Sequence, residues 1–133
     1  KILVIEGEAL SLNDIEHRIV RPIWRDCRVH YAFNCAAIAC PNLQPVAFDA
    51  ANTETLLDDG ARAYVNHLRG ARMDDGRITV SKIYLWYAAD FGGRPGGVLG
   101  HLRRYAEGDL VAALGSARRI HAYYYYWALN EAP

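Results

Sequence analysis

The sequence predicts an α+β domain, a small mixed sheet of three to four strands packed with three to four helices. Three features carry that prediction. Val29, Tyr31 and Phe33 alternate with His30, Ala32 and Asn34, the period-two pattern of a strand with two unlike faces. The stretch Ile120–Trp127 contains four consecutive tyrosines and is strongly β-prone. Between them lie segments of helical periodicity. Because a sheet must bury its apolar face, residues 28–34 are expected as an interior strand beside the tyrosine-rich strand, under a helix over 53–69.

The elements follow in order. Lys1 to Ile5 is a short apolar run ending at Glu6-Gly7-Glu8, read as a strand. Ser11 is a good N-cap with an acid three residues on, a capping-box pattern that opens a helix. Leu12, Ile15, Ile19 and Val20 form its apolar stripe, and Pro22 is expected to end it. Pro41 and Pro45 bracket a loop. The helix over 53–69 carries Leu56, Leu57, Tyr64, Val65 and Leu68, with Gly70 as its C-cap. Asp74-Asp75-Gly76 is a turn, Arg77 to Val80 is extended, and Ser81 caps a short turn through Ile83, Trp86 and Tyr87. Residues 92–97 form a glycine-rich loop without the P-loop pattern. Helices over 98–106 and 109–114 precede the last strand.

Composition narrows the function classes. At 133 residues the chain fits one domain with a core that needs no disulfide staples. Fifteen basic and fifteen acidic residues cancel, so no long-range field favours nucleic acid or an anionic membrane. No apolar run approaches the roughly 18–20 residues that span a bilayer. Residue 1 is Lys and not Met, which predicts a processed or trimmed chain.

Cys27, Cys35 and Cys40 are the chain's cysteines. Their spacing matches no standard zinc pattern, so no metal or cofactor is expected, and a Cys35–Cys40 disulfide in an exported protein stands beside three free thiols. Cys35 is either a nucleophile or a small buried hydrophobe. In a continuous strand at about 3.3 Å per residue, His30 and Cys35 stand roughly 16 Å apart on opposite faces, so His30 serves as base only if the chain turns at Asn34. His17, His101 and His121 are equally admissible. His67 and His101, among arginines, are expected on solvated helix faces, and Glu16 and His17 are expected to pair and to join the site from the first helix. Tyr126, Trp127 and Asn130 are expected as core scaffold or as the lining of a binding groove.

Several blocks resemble the family catalogued as domain of unknown function 547. They are Ile15-Glu16-His17-Arg18-Ile19-Val20-Arg21, Arg28-Val29-His30-Tyr31-Ala32-Phe33-Asn34-Cys35 and Cys40-Pro41-Asn42-Leu43. Val80-Ser81-Lys82-Ile83-Tyr84, Trp86-Tyr87, Asp90-Phe91 and Tyr126-Trp127-Ala128-Leu129-Asn130 follow in family order. The resemblance implies that the chain, a single domain over 1–133, corresponds to the C-terminal two-thirds of the family's domain. It further implies that an upstream fragment or a homo-oligomer partner completes the domain. It favours export or the periplasm for a bacterial member, and it marks Cys35 over Cys40 and Cys27 as the functional cysteine. A papain- or transglutaminase-like fold is an analogy, since in papain-like enzymes the catalytic Cys precedes its His.

Two function classes follow. The first is a Cys-dependent hydrolase or transferase acting on a peptide-like or thiol-containing small molecule, with Cys35, His30, His17 and Glu16 as catalytic candidates. The second is a non-catalytic ligand-binding or protein-interaction module that uses Asn34, Tyr126, Trp127 and Asn130.

Overall fold

The computed structural model describes residues 3–93 and 96–131. Lys1 and Ile2 of the first expected strand, and Arg94-Pro95 of the glycine-rich loop, lie outside the described residues. The chain is α+β. A hairpin of β1 (Leu3–Ile5) and β2 (Glu8–Leu10) stands apart from a three-stranded mixed sheet of β3 (Ala71–Asp74), β4 (Arg77–Ser81) and β5 (Ala122–Tyr124). The central strand β4 pairs antiparallel with β3 and parallel with β5, so Val80 faces Ala71 on one side and Tyr123 on the other. The β3–β4 connection is the expected turn. Asp75 and Gly76 both take positive φ, which a two-residue type I′ hairpin loop requires.

Ser11 caps the first helix as its sequence implies, with Ser11 Oγ accepting from the Asp14 amide and Asp14 accepting from the Ser11 amide. Pro22 does not end that helix. The chain runs from α1 (Leu12–Asp14) through a π-helical stretch (Ile15–Val20) into α2 (Arg21–Trp24), with Pro22 in the opening turn of α2. The Arg21 amide reaches five residues back to the Glu16 carbonyl. This wider turn makes room for the ring that a regular α-helix would push against the carbonyl of residue 18. The helix stops three residues later, at Arg25, with φ 53°. Its expected stripe is only half covered, and Leu12 is exposed.

Residues 28–34 are not a strand. Cys27–Tyr31 forms a 3₁₀ helix, and the chain then turns. Local chemistry overrides the alternation. The Asp26 carboxylate accepts from the Arg28 amide at 2.8 Å and caps the 3₁₀ turn, while the Arg28 guanidinium reaches Glu54 and Asp58 on α3 (Thr53–Val65). Val29, His30 and Tyr31 are consequently buried in succession, which no two-faced strand would do.

Helix α3 ends at Val65, short of Arg69, and Leu68 is exposed. The Asn66 side chain ends it by donating to the carbonyls of Arg62 and Tyr105. Gly70 is required for proximity and not as a C-cap, because a Cβ there would lie 1.8 Å from the Tyr64 carbonyl oxygen. Helices α4 (Ile83–Trp86), α5 (Gly96–Tyr105) and α6 (Asp109–Ser116) link β4 to β5. Ser81 Oγ accepts from the Ile83 amide at the start of α4. The core gathers Tyr31, Tyr64, Val80, Tyr84, Val98, Leu102 and Leu114, nearly or wholly inaccessible to solvent. Truncating one such leucine to alanine costs about 2–5 kcal/mol.

The last strand is shorter than expected. After Tyr124 the chain leaves the sheet and straps the loop that carries Cys35 and Cys40. Ile38 donates to the Ala128 carbonyl, Ala39 to that of Tyr126, and Asn130 to that of Ala36. Residues 120–127 therefore never border residues 28–34 in a common sheet, and Tyr126, Trp127 and Asn130 are exposed and not core. No helix among the described residues is long and apolar enough to cross a membrane.

Candidate functional site

The 3₁₀ helix and the turn after it shorten the path from His30 to Cys35, and both residues line one open cleft of about 750 Å³. Its walls are the first helical segment (Leu12, Ile15, Glu16), the 33–41 loop, α4 with Tyr87, and the strap residues Tyr125 and Trp127. Of the residues singled out by sequence, Glu16, His30, Asn34, Cys35 and Trp127 meet there. His17, Tyr126 and Asn130 do not line it. His17 lies behind the cleft, its Nδ1 accepting from Arg21 Nη1 at 2.6 Å, with its Nε2 3.9 Å from Glu16.

Loop 34–41 is held from several directions. Asn34 Nδ2 donates to the Pro41 carbonyl, and Asn34 Oδ1 accepts from the Ala36 amide. Arg69 Nη1 donates to the carbonyls of Ile38 and Cys40, and Tyr64 Oη donates to that of Ala39. This clamping places Cys35 Sγ 2.8 Å from Cys40 Sγ, with both thiols free. Tyr125 Oη lies 3.5 Å from the first sulfur and 3.2 Å from the second, and the Cys35 amide donates to Cys40 Sγ. Cys35 is exposed, whereas Cys40 is buried. Partial burial opposes ionisation of Cys35, but hydrogen bonds from Cys40 and Tyr125 outweigh it and draw the thiol below its ordinary value. Burial first, and then hydrogen bonding to the two cysteines, pushes the Tyr125 hydroxyl upward, so it stays protonated as a donor.

On the opposite wall His30 is buried and stacked on Tyr87, with ring centroids 4.0 Å apart. Its Nε2 lies 2.8 Å from Asp90 Oδ2, and Arg21 grips the same carboxylate through Nε at 2.7 Å and Nη2 at 3.1 Å. The Arg21 hydrogen bond holds Asp90 below the usual carboxylate range. An ionised Asp90 accepts, which fixes the proton of neutral His30 on Nε2 and leaves the lone pair on Nδ1. Burial lowers the His30 pKa against the pull of Asp90, so the ring is neutral near pH 7. Among the described residues the Cys35 thiol hydrogen-bonds Cys40 and Tyr125 and no imidazole.

A family model described as "Protein of unknown function, DUF547" matches residues 1–65. Over residues 1–65, just under half of its length, the chain is similar to the DUF547 family. The DUF547 match takes in Glu16, His30, Asn34, Cys35 and Cys40, while Tyr87, Asp90, Tyr125 and Trp127, which complete the cleft, lie beyond it. No curated protein and no solved structure matches the chain.

Asp90, Arg21 and Tyr125 escaped the sequence reading as site residues. Asp90 falls in the family-like Asp90-Phe91 block but lies 60 positions from His30 with nothing local to link the two, and Tyr125 is one of four adjacent tyrosines. His101 is a correction. It is not solvated: its Nε2 meets Tyr31 Oη at 2.6 Å and its Nδ1 lies 3.4 Å from Cys27 Sγ. His121 accepts from the Ile78 amide, away from the cleft, and His67 is exposed as expected. Among the described residues no group of three or more His, Cys, Asp or Glu side chains is placed to hold a metal ion.

Proposed function

We propose that the cleft is the site of a Cys-dependent hydrolase or transferase acting on a peptide-like or thiol-containing small molecule. The observation that carries this reading is the convergence, on one cleft, of an exposed and acidified Cys35 and a neutral His30 anchored on Asp90. Cys35 as thiolate, its charge stabilised at rest by Tyr125 and Cys40, adds to a carbonyl carbon; the bond from that carbon to the leaving group then breaks, the leaving group takes up a proton from solvent, and a thioester remains on Cys35. His30, oriented by the Asp90–Arg21 pair, acts through Nδ1 as the base for the incoming water or acceptor. Glu16 and Asn34 lie on the rim, where polar parts of a ligand would meet them. His17 supports the site from behind, through Arg21, Glu16 and Tyr87.

The test is acetylation by p-nitrophenyl acetate. The expected result is a burst of nitrophenol, an acetyl group on Cys35 by peptide mapping, and slow turnover. Cys35→Ser should remove the burst, and Asp90→Asn should slow deacylation by about 10²-fold, the usual worth of a positioned base. Acetylation at Lys82, or deacylation indifferent to Asp90, would sink the proposal.

The binding-module reading has one observation in its favour. Trp86, Tyr125 and Trp127 form an aromatic wall with centroids 4.6 to 5.4 Å apart, and Trp86 and Trp127 are substantially exposed. Such rings give large contact area at small entropic cost. A Cys35 that alkylates only as an ordinary thiol would favour this second reading.

A further inference from the structure

We propose that Cys35 and Cys40 act together as a dithiol that exchanges electrons with a disulfide bound in the cleft. Four observations carry it. The sulfurs already stand 2.8 Å apart, so closing to a bond of about 2.05 Å needs a shift of less than 1 Å. Their exposures are unequal, with Cys35 facing the cleft and Cys40 only 3% accessible, as an attacking and a resolving thiol require. Tyr125 Oη lies within hydrogen-bonding reach of both sulfurs, where it can pass a proton to either. The loop is fixed by Arg69, Asn34, Tyr64 and the C-terminal strap, so the pair does not have to be assembled at each turnover.

The proposal rests on the same reading of Cys35 as a nucleophile and differs in its substrate, a disulfide in place of an acyl group. Cys35 thiolate attacks one sulfur of a disulfide R–S–S–R′. The S–S bond breaks, a mixed disulfide forms on Cys35, and R′S⁻ leaves and takes up a proton. Cys40 then loses its proton, with Tyr125 bridging it to solvent, and its sulfur attacks Cys35 Sγ. The mixed disulfide breaks and RS⁻ is released. The substrate gains two electrons and two protons and becomes two thiols, while the protein dithiol becomes the Cys35–Cys40 disulfide. A thiol reductant such as glutathione reverses the protein half of the cycle.

The experiment uses the full chain, reduced, freed of reductant and then exposed to oxidised glutathione, with intact mass and peptide mapping as readouts. Wild type should form the Cys35–Cys40 disulfide and accumulate little mixed disulfide. Cys40→Ser should trap one glutathione on Cys35, and Cys35→Ser should trap none there. The wild-type result stands alone if a variant fails to fold. Stable glutathione on wild-type Cys35 overturns the dithiol proposal and leaves the acyl-transfer reading intact, as does wild type that stays a dithiol in oxidised glutathione while Cys35 still accepts acetyl. If Cys35 accepts no acetyl and wild type forms neither the Cys35–Cys40 disulfide nor a glutathione adduct, both proposals fall.

Discussion

Cys27 and Cys35 invert a familiar expectation about thiols and imidazoles. Cys27 has an imidazole nitrogen 3.4 Å from its sulfur, yet its thiol is pushed up to about 11, by burial first and by the Asp26 carboxylate second. Cys35 hydrogen-bonds no imidazole and lies below its usual value. The difference is charge and solvent, not proximity. An imidazole activates a thiol only as the imidazolium, and His101 is lowered to about 4, by burial first and by Arg104 second. A proton would have to pass from a thiol near 11 to a ring near 4, so the Cys27–His101 pair stays neutral and structural. At Cys35 neutral donors serve instead. Two hydrogen bonds and an open cleft stabilise the thiolate without burying it.

The sharpest way to break this comparison is acid. The folded-state pKa of His101 lies below that of the unfolded chain, so between about pH 6.5 and 4 the unfolded state binds the extra proton and stability falls as pH falls. At 1.36 kcal/mol per unit, the shift corresponds to about 3 kcal/mol lost across that window. His101→Phe, which keeps a ring among Tyr31, Phe91 and Tyr105, should abolish most of that loss in urea titrations at pH 7 and pH 4.5. His30 is lowered in the same direction and leaves a smaller residual slope. Equal slopes in wild type and variant would mean that His101 titrates freely and that Cys27 has an activating partner after all.

A second prediction compares the thiols directly. With Cys27 near 11 and Cys35 below the ordinary 9.0, their thiolate populations at pH 7 differ by at least about a hundredfold. The weaker intrinsic nucleophilicity of a more acidic thiol reduces this to at least about tenfold in rate. Iodoacetamide at pH 7 with site-resolved mass mapping should therefore label Cys35 at least tenfold faster than Cys27. Cys27→Ala should leave the Cys35 rate unchanged. Equal labelling would remove the distinction on which both proposals rest.

Residues whose partners lie within a few positions were the legible ones. The Ser11–Asp14 capping box, the Asp75-Gly76 turn and helices α5 and α6 all follow from local rules, and all form. The 28–34 segment misled because its alternation is real but short. The Asp26 cap and the Arg28 ion pairs decide its conformation, and two of those acids sit on another helix. His101 was legible in principle. It falls three residues after Val98 and four before Tyr105, on the buried face of α5, and the adjacent arginines obscured that spacing. Asp90 was not legible as the partner of His30, because nothing local links positions 30 and 90. The C-x4-C spacing suggested a disulfide, but only the strap and Arg69 reveal why two reduced sulfurs stay together.

The smallest predicted effect tests whether loop 34–41 carries strain to hold its sulfurs. Ala36 has φ 62°, the left-handed region that costs a non-glycine residue about 1–2 kcal/mol. Its amide binds Asn34 and its carbonyl binds Asn130, so its backbone is in use and its side chain projects to solvent. Ala36→Gly should relieve the strain and lose about 0.5–1 kcal/mol to the greater freedom of the unfolded chain. The net expectation is a gain of about 0.5 kcal/mol, seen as a slightly higher Tm with the Cys35 alkylation rate unchanged. Cys27, on a different element, should not respond. A lower Tm would show that Ala36 does not hold the left-handed conformation. A slower Cys35 at raised stability would show that the strain itself, and not only Cys40 and Tyr125, acidifies the thiol.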